Sequence, residues 1–166
     1  GPAGAILERA KEAEAAGAGA VMIAPALAGY DVARTLAADP NFSLPIVAHP
    51  AFSGANVVSA DCGFSHRAFY GVLHRLMGAD AVIFPNFGGR FGFTREECRS
   101  IAEACAVEMG DLKASLPAPG GGVNFARVPE MRSVYGKDVI YLVGGALLQE
   151  PNLVDGCRRL AEAVYS

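Results

Sequence analysis

The sequence predicts an α/β protein built from parallel β/α units. Short apolar runs alternate with amphipathic segments along its 166 residues, and glycine or proline ends most of these segments. Continuous apolar strands separated by helices are typical of a parallel sheet, because each parallel crossover needs a helix. A closed eight-unit barrel needs ~250 residues. One domain over residues 1–166 is therefore expected, either an open doubly wound sheet or an incomplete barrel.

Five strands and six helices are predicted in alternation. The strands cover residues 20–24, 45–49, 81–84, 115–118 and 139–143, of which the last is the clearest and 115–118 the weakest. The helices cover residues 3–16, 30–38, 65–77, 94–109, 128–135 and 153–165. Thr94 and Glu97 have the form of a capping box, in which a hydroxyl and a carboxylate close the first turn reciprocally.

Composition and charge exclude several classes of protein. The chain is 52% hydrophobic with a formal net charge of −3, which excludes intrinsic disorder. No apolar run approaches the ~20 residues of a membrane span. The 14 basic residues are scattered, so no nucleic-acid partner is expected. The four cysteines lack CxxC spacing, so we interpret them as reduced, mostly packing residues of a cytoplasmic protein.

The candidate phosphate site consists of two glycine clusters that follow the fourth and fifth strands. In either architecture, ligands bind beyond the carboxyl ends of the strands. Glycine lets the backbone approach an anion closely, and its amides can point at phosphate oxygens. Tight turns without a ligand are the alternative interpretation. The candidate residues are Gly120, Gly121, Gly122, Gly144 and Gly145.

Two further candidates lie at the same edge of the sheet. His49 ends the second strand and could act as an acid, a base or a donor to a substrate oxygen, or it could be a satisfied polar residue. Arg90 lies in a long glycine-rich loop with Asn86, Gly88 and Gly89. Such a loop is typical of a mobile lid whose arginine reaches an anionic substrate, although a flexible surface loop with an incidental charge is the alternative.

Metal ligands are scarce at this edge. A magnesium site needs carboxylates at the open face, yet Asp80 and Asp138 precede their strands and lie at the opposite end. His66 and His74 are expected to face outward from their helix, so neither is a candidate ligand. The sequence therefore predicts no metal site in this chain.

Four segments carry a family resemblance: AHPAFSGA, GADAVIFPNFGGRFGF, APGGGVNFARVPEM and YGKDVIYLVGGALLQEP. Their order and spacing resemble the catalytic barrel of the RuBisCO large-chain superfamily, and the match is closest to the RuBisCO-like proteins (form IV), which do not fix carbon dioxide. The resemblance implies a partial TIM barrel of about five strands, corresponding to barrel strands four to eight. The amino-terminal domain and the first three barrel strands of the family would then be absent.

The resemblance also implies roles for individual positions. His49 matches the active-site histidine that ends strand five, and Pro50 replaces the phosphate-gripping arginine beside it. Arg90 occupies the neighbourhood of the loop-six lysine that carboxylases use on carbon dioxide. Residues 120–122 match a serine-glycine-glycine after strand seven, with the serine lost. Residues 144–145 match the glycines after strand eight that hold a phosphate.

The function implied by the resemblance is enolate chemistry on a phosphorylated sugar or sugar acid, leading to enolisation, isomerisation or decarboxylation. The intact family member would use Mg²⁺, but the carbamylated lysine and its neighbouring carboxylates are missing here. The isolated chain is therefore expected to bind no metal and to be inactive. The alternative is a non-catalytic barrel fragment that binds phosphate or self-assembles as a folding module.

The predicted sheet has two open edges, at residues 20–24 and 139–143. Both strands are apolar on both faces and carry no inward charge, so neither has a feature that prevents pairing with another chain. Unpaired backbone groups beside apolar surface favour pairing with another chain. A homo-oligomer, or a complex with a complementary amino-terminal fragment, is therefore predicted. The alternative is an open sheet with helices on both faces, which would be monomeric.

Overall fold

The computed structural model describes residues 2–59 and 61–165, which form a parallel sheet of four strands with helices between them. In a doubly wound sheet the strand order reverses at a switch point. Here each strand is added on the same side of the one before it, in the order β1-β2-β3-β4. This order favours the incomplete barrel. The strands are β1 (Val21–Ile23), β2 (Ile46–Ala48), β3 (Ala81–Pro85) and β4 (Leu116–Gly120).

The helices follow the predicted alternation, and two further short helices, at Pro25–Ala28 and Gly145–Leu148, were not predicted. Turns of 3₁₀ helix at Gly54–Asn56 and Phe125–Arg127 were missed as well. No helix in the described ranges is long and apolar enough to cross a membrane. The helices are α1 (Ala3–Ala15), α2 (Pro25–Ala28), α3 (Tyr30–Ala37), α4 (His74–Leu76), α5 (Arg95–Ala106), α6 (Val128–Tyr135), α7 (Gly145–Leu148) and α8 (Leu153–Tyr165).

The fifth predicted strand does not form, and the sheet has four strands rather than five. Gly120 and Leu142 make an isolated parallel bridge. The backbone of Ile140 donates to Pro117 O at 3.0 Å, and that of Leu142 donates to Pro119 O at 3.3 Å. The backbone nitrogen and oxygen of one strand residue face the same neighbouring strand. Because the oxygens of Pro117 and Pro119 face this segment, their nitrogens face it as well. These nitrogens carry no hydrogen, and only half of a ladder can form.

The helix predicted over residues 65–77 is mostly a π-helix, which spans Arg67–Leu73 and continues into α4. Its wider turns bury His74 among Tyr30, Phe69 and Tyr70, so the expectation that His74 faces outward was wrong. The ring Nδ1 lies 2.6 Å from the carbonyl of Phe69, five residues earlier. Because a carbonyl can only accept, Nδ1 carries the proton. Burial lowers the pKa of His74, so its ring is neutral near pH 7.

Close packing of the π-helix on α5 depends on one glycine and one buried arginine. A Cβ at Gly71 would lie 2.2 Å from the Cβ of Ala104, so only glycine fits there. Arg75 is 3% exposed and donates to the carbonyls of Ala104 at 3.0 Å and Leu112 at 3.1 Å. The bond to Ala104 satisfies a carbonyl in the last turn of α5, where a positive charge is also favoured by the helix dipole.

The cysteines are free thiols that divide into two classes. Cys98 and Cys105 are buried on α5, whereas Cys62 and Cys157 are exposed. Burial raises the pKa of the Cys105 thiol to about 12, which keeps it protonated and suits a packing residue. The interpretation of the cysteines as packing residues therefore holds for Cys98 and Cys105 but not for Cys62 and Cys157.

Substitution of Gly71 tests the close approach of the two helices. Gly71→Ala should lower the free energy of unfolding by about 1–3 kcal/mol, because the added methyl group overpacks the contact with Ala104. The matched control is Gly4→Ala in α1, where no atom lies within 4 Å of the added Cβ. The control should be neutral or stabilising by up to about 1 kcal/mol. Urea unfolding measures both, and equal effects would contradict the packing argument.

Candidate functional site

His49 opens onto a cavity of about 740 Å³ at the carboxyl ends of β2 and β3. Its backbone N–H donates to Ile23 O at 2.8 Å, which fixes the residue to the sheet directly after β2. Its Nδ1 lies 3.1 Å from the backbone N–H of Ala51 and accepts that hydrogen. In the neutral ring the proton is therefore on Nε2. His49 can donate a hydrogen bond from that atom.

The loop between β3 and α5, residues 86–94, is called the lid loop below. Arg90 in this loop lines the same cavity as His49, so the two candidate catalytic residues share one site. Its guanidinium lies 4.8 Å from the ring centroid of Phe91, and its side chain is exposed. An arginine on an exposed loop over a cavity can reach an anionic group of a ligand.

Asn86 does not lie in the open part of the lid loop. Its side chain is fully buried, and its Oδ1 accepts a hydrogen bond from the Tyr135 hydroxyl at 2.6 Å. Its backbone N–H donates to Gly120 O at 2.8 Å. Asn86 belongs to the predicted substrate loop, and it anchors the start of that loop to α6 and to the end of β4.

His66 lines the cavity, contrary to the expectation that it faces outward. Its ring packs edge-on against Phe93, with centroids 4.3 Å apart, and its Nδ1 lies 3.3 Å from Glu97 Oε1. The predicted capping box is confirmed: Glu97 N donates to Thr94 Oγ1 at 3.1 Å, and Glu97 Oε2 accepts from Thr94 N at 2.7 Å. The capping box therefore fixes a carboxylate beside His66.

The remaining wall of the cavity is mostly apolar. Burial raises the pKa of Tyr70 to about 12, so its hydroxyl stays protonated near pH 7. A few polar groups that converge on an apolar cavity are typical of a small-molecule site. The apolar lining includes Phe52, Val57, Val58, Phe91 and Phe93.

Four of the five candidate phosphate-binding glycines line one groove of about 500 Å³. These four, Gly121, Gly122, Gly144 and Gly145, define the glycine groove. Gly121 and Gly122 have φ values of +94° and +68°, a region that favours glycine. The fifth, Gly120, ends β4, and its carbonyl accepts from Asn86.

The lid loop rests on the glycine groove. A Cβ at Gly89 would lie 3.1 Å from Gly121 O, and a Cβ at Gly122 would lie 3.2 Å from Gly89 Cα. Arg127 donates to Phe87 O at 2.9 Å and to Gly122 O at 3.2 Å. Arg127 was not predicted as a site residue, because the backbone carbonyls that it binds leave no signal in the sequence.

The side chains at the two sites do not fit the Mg²⁺ that the resemblance implies. Magnesium prefers several oxygen ligands. Glu97 is the one carboxylate among the residues that line the cavity and the groove, and its oxygens contact Thr94 and His66. Within residues 2–59 and 61–165, no three His, Cys, Asp or Glu side chains cluster as a metal site would require.

Substitution of Glu97 tests the electrostatics at His66. Burial lowers the pKa of His66, and the Glu97 carboxylate opposes that effect. Glu97→Gln keeps the capping box, which accepts either residue, but removes the charge, so the pKa of His66 should fall further. Glu96→Gln, at an exposed position in the same turn, is the control and should leave it unchanged. NMR titration of the ring measures both; an unchanged or higher pKa in Glu97→Gln would contradict the contact.

Comparison with known proteins gives relatives of much greater length. No protein-family model matches the chain. The chain is 52% identical over 102 residues to the 5-methylthioribulose-1-phosphate isomerase of Rhodospirillum rubrum, covering 61% of this chain and 26% of that protein. It is 36% identical over 151 residues to the 2,3-diketo-5-methylthiopentyl-1-phosphate enolase of Bacillus cytotoxicus, covering 91% and 36%. The chain thus spans between a quarter and two fifths of these relatives.

Solved structures likewise match nearly the whole of this chain while extending well beyond it. A RuBisCO-like protein from Alicyclobacillus acidocaldarius matches with a TM-score of 0.91 and 36% identity, over 99% of this chain and 42% of that chain. The resemblance carried by the four sequence segments is confirmed. The homologues and structural neighbours of this chain are RuBisCO-like proteins, which match it over most of its length.

Proposed function

We propose that this chain supplies the phosphate-binding and hydrogen-bonding half of an active site that enolises or isomerises a phosphorylated sugar-type substrate. The observation that carries the proposal is that His49 and Arg90 share one cavity while four glycines form a groove beneath the same loop. Two relatives are an isomerase and an enolase whose names specify 5-methylthio pentose-type phosphates. The proposed substrate belongs to that class.

The glycine groove would bind the phosphate group. Its four glycines bear no side chains, and a Cβ at Gly121, Gly144 or Gly145 would meet no atom within 4 Å. Oxygens of an anion can therefore reach the backbone amides directly. The guanidinium of Arg127, bonded to Gly122 O, adds positive charge beside the groove.

His49 would act on the carbonyl end of the substrate. Its Nε2–H can donate to a carbonyl oxygen and stabilise the negative charge that develops there during enolisation. Arg90 would hold a further oxygen of the substrate from the lid loop. Its guanidinium is a planar, delocalised cation, which differs in shape and hydrogen bonding from the compact ammonium of the loop-six lysine of carboxylases. We therefore propose no carbon dioxide fixation.

The proposal extends to the organisation of the whole protein. Residues 1–166 would form one domain, the carboxyl-terminal portion of a (β/α)₈ barrel. Groups that hold Mg²⁺ and abstract the proton would come from the remainder of the barrel. The isolated chain would bind phosphate without turnover. The donor set at the two sites, which does not fit Mg²⁺, supports this division.

A second candidate function is a self-assembling or phosphate-binding module without catalysis. It is favoured by the edge of the sheet at β1. Val21 N and Ile23 O bond toward β2, so the N–H and C=O of Met22 face away from the sheet, and its side chain is 62% exposed. Such an edge can pair with a second copy or with a complementary barrel fragment.

Phosphate binding is tested at Gly145. Gly145→Asp should weaken binding of inorganic phosphate by at least ~10-fold, because the added carboxylate repels the anion. Gly19→Asp is the matched control: it adds the same charge where no atom lies within 4 Å of the new Cβ, and it should bind as the original chain does. NMR titration of the glycine amides measures the affinity. If phosphate shifts neither these amides nor the melting temperature of the original chain, the site assignment is wrong.

Edge pairing is tested at Met22. Analytical ultracentrifugation over a hundredfold concentration range should show association of the original chain. Met22→Pro should abolish it by removing the outward N–H without disturbing the bonds to β2. Met22→Ala retains that N–H and should still associate. A monomer throughout for the original chain, or association of Met22→Pro equal to that of Met22→Ala, would rule out pairing through this edge.

A further inference from the structure

One cluster of side chains holds both ends of the lid loop. At its start, Arg127 donates to Phe87 O at 2.9 Å, and its guanidinium lies 4.8 Å from the Phe87 ring centroid. Beyond its end, Arg95 lies 3.4 Å from Glu130 and donates to Ser133 at 3.1 Å. Glu130 joins the two, because its other oxygen lies 3.4 Å from Arg127 Nε. The exposed part of the loop is therefore suspended between two fixed points.

The same guanidinium reaches the glycine groove. Arg127 Nη1 donates to Gly122 O at 3.2 Å. A Cβ at Gly88 would lie 3.0 Å from Arg127 Nη2, and a Cβ at Gly122 would lie 3.2 Å from Nη1. Both glycines have positive φ values, of +67° and +68°. The contact thus depends on glycine on each side of the arginine, and it joins the lid loop to the groove through one side chain.

We propose that Arg127 is a positioning residue that couples the order of the lid loop to an anion in the glycine groove, with Glu130 as its support. The coupling to an anion rests on the phosphate site proposed above. An anion in the groove attracts the guanidinium and restrains it. Because that guanidinium also holds Phe87, the loop that carries Arg90 loses freedom at the same time. By linkage, an ordered loop strengthens anion binding to the same extent.

Arginine is required for this role, because the side chain makes two bonds to different carbonyls and covers a ring. Its planar fork can do all three at once, whereas the ammonium of lysine is a compact point charge on a flexible stem. Charge alone should therefore not be sufficient. The Arg127→Lys variant separates charge from geometry.

The experiment measures hydrogen exchange of the amides of residues 88–93, and the affinity for inorganic phosphate, in the original chain and three variants. Phosphate should slow exchange in the lid loop of the original chain. Arg127→Met should speed that exchange without phosphate and weaken phosphate binding about 5- to 150-fold, the usual range of coupling between sites. Arg127→Lys should also leave the loop uncoupled. Arg132→Met, which removes an exposed arginine from α6, the helix that follows Arg127, should match the original chain.

Exchange of the β3 amides, read in the same experiment, separates a local effect from unfolding. If Arg127→Met is globally destabilised, Arg127→Lys carries the test. Loop exchange in both Arg127 variants equal to that of the original chain overturns the inference. So does phosphate that binds the original chain without slowing its loop. If phosphate does not bind the original chain, the phosphate site and the coupling both fail, while ligand-free exchange still decides whether Arg127 positions the loop.

Discussion

The loops that follow β3 and β4 touch backbone to backbone, and the arrangement of both candidate sites depends on this contact. Gly89 and Gly122 approach so closely that a Cβ on either would lie 3.1–3.2 Å from the backbone of the other loop, tighter than an ordinary contact. Arg127 then closes the contact with one bond to each loop. Consequently the lid loop spans from the glycine groove to the cavity of His49, and a ligand held in the groove would lie beside the loop that carries Arg90.

The end of the sheet is decided by proline chemistry on β4. Pro117 and Pro119 accept hydrogen bonds from the next segment but cannot return them. That segment therefore lies beside the sheet without completing a strand, and it leads directly into Gly144 and Gly145. The wall formed by Gly144 and Gly145 is thus joined to the sheet through two backbone hydrogen bonds and the isolated bridge at Leu142. The wall formed by Gly121 and Gly122 continues β4, which pairs with β3 along its whole length.

The cavity wall depends on helix packing rather than on the sheet. Gly71 brings the π-helix close to α5, and the buried Arg75 donates to the carbonyls of Ala104 and Val107 where α5 ends. Residues at the start of both helices are thereby brought together, which places His66 beside Glu97. Helix packing thus positions the His66 wall of the cavity, in addition to the glycine contact that positions the lid loop between the two sites.

The sequence by itself determined the β/α alternation, the capping box at the start of α5 and the gathering of glycines beyond the strands, because these depend on local pattern and on the common direction of parallel strands. The tertiary structure alone decided the rest. Residues 139–143 do not form the fifth strand because the neighbouring strand β4 presents proline nitrogens, which cannot donate hydrogen bonds to them. His66 faces the cavity rather than solvent because the packing of the π-helix on α5 sets its surroundings, and Asn86 is buried in contact with Tyr135. Arg127 became visible only in three dimensions, since the carbonyl of Phe87 that it binds lies 40 residues away in sequence, and every residue carries a carbonyl.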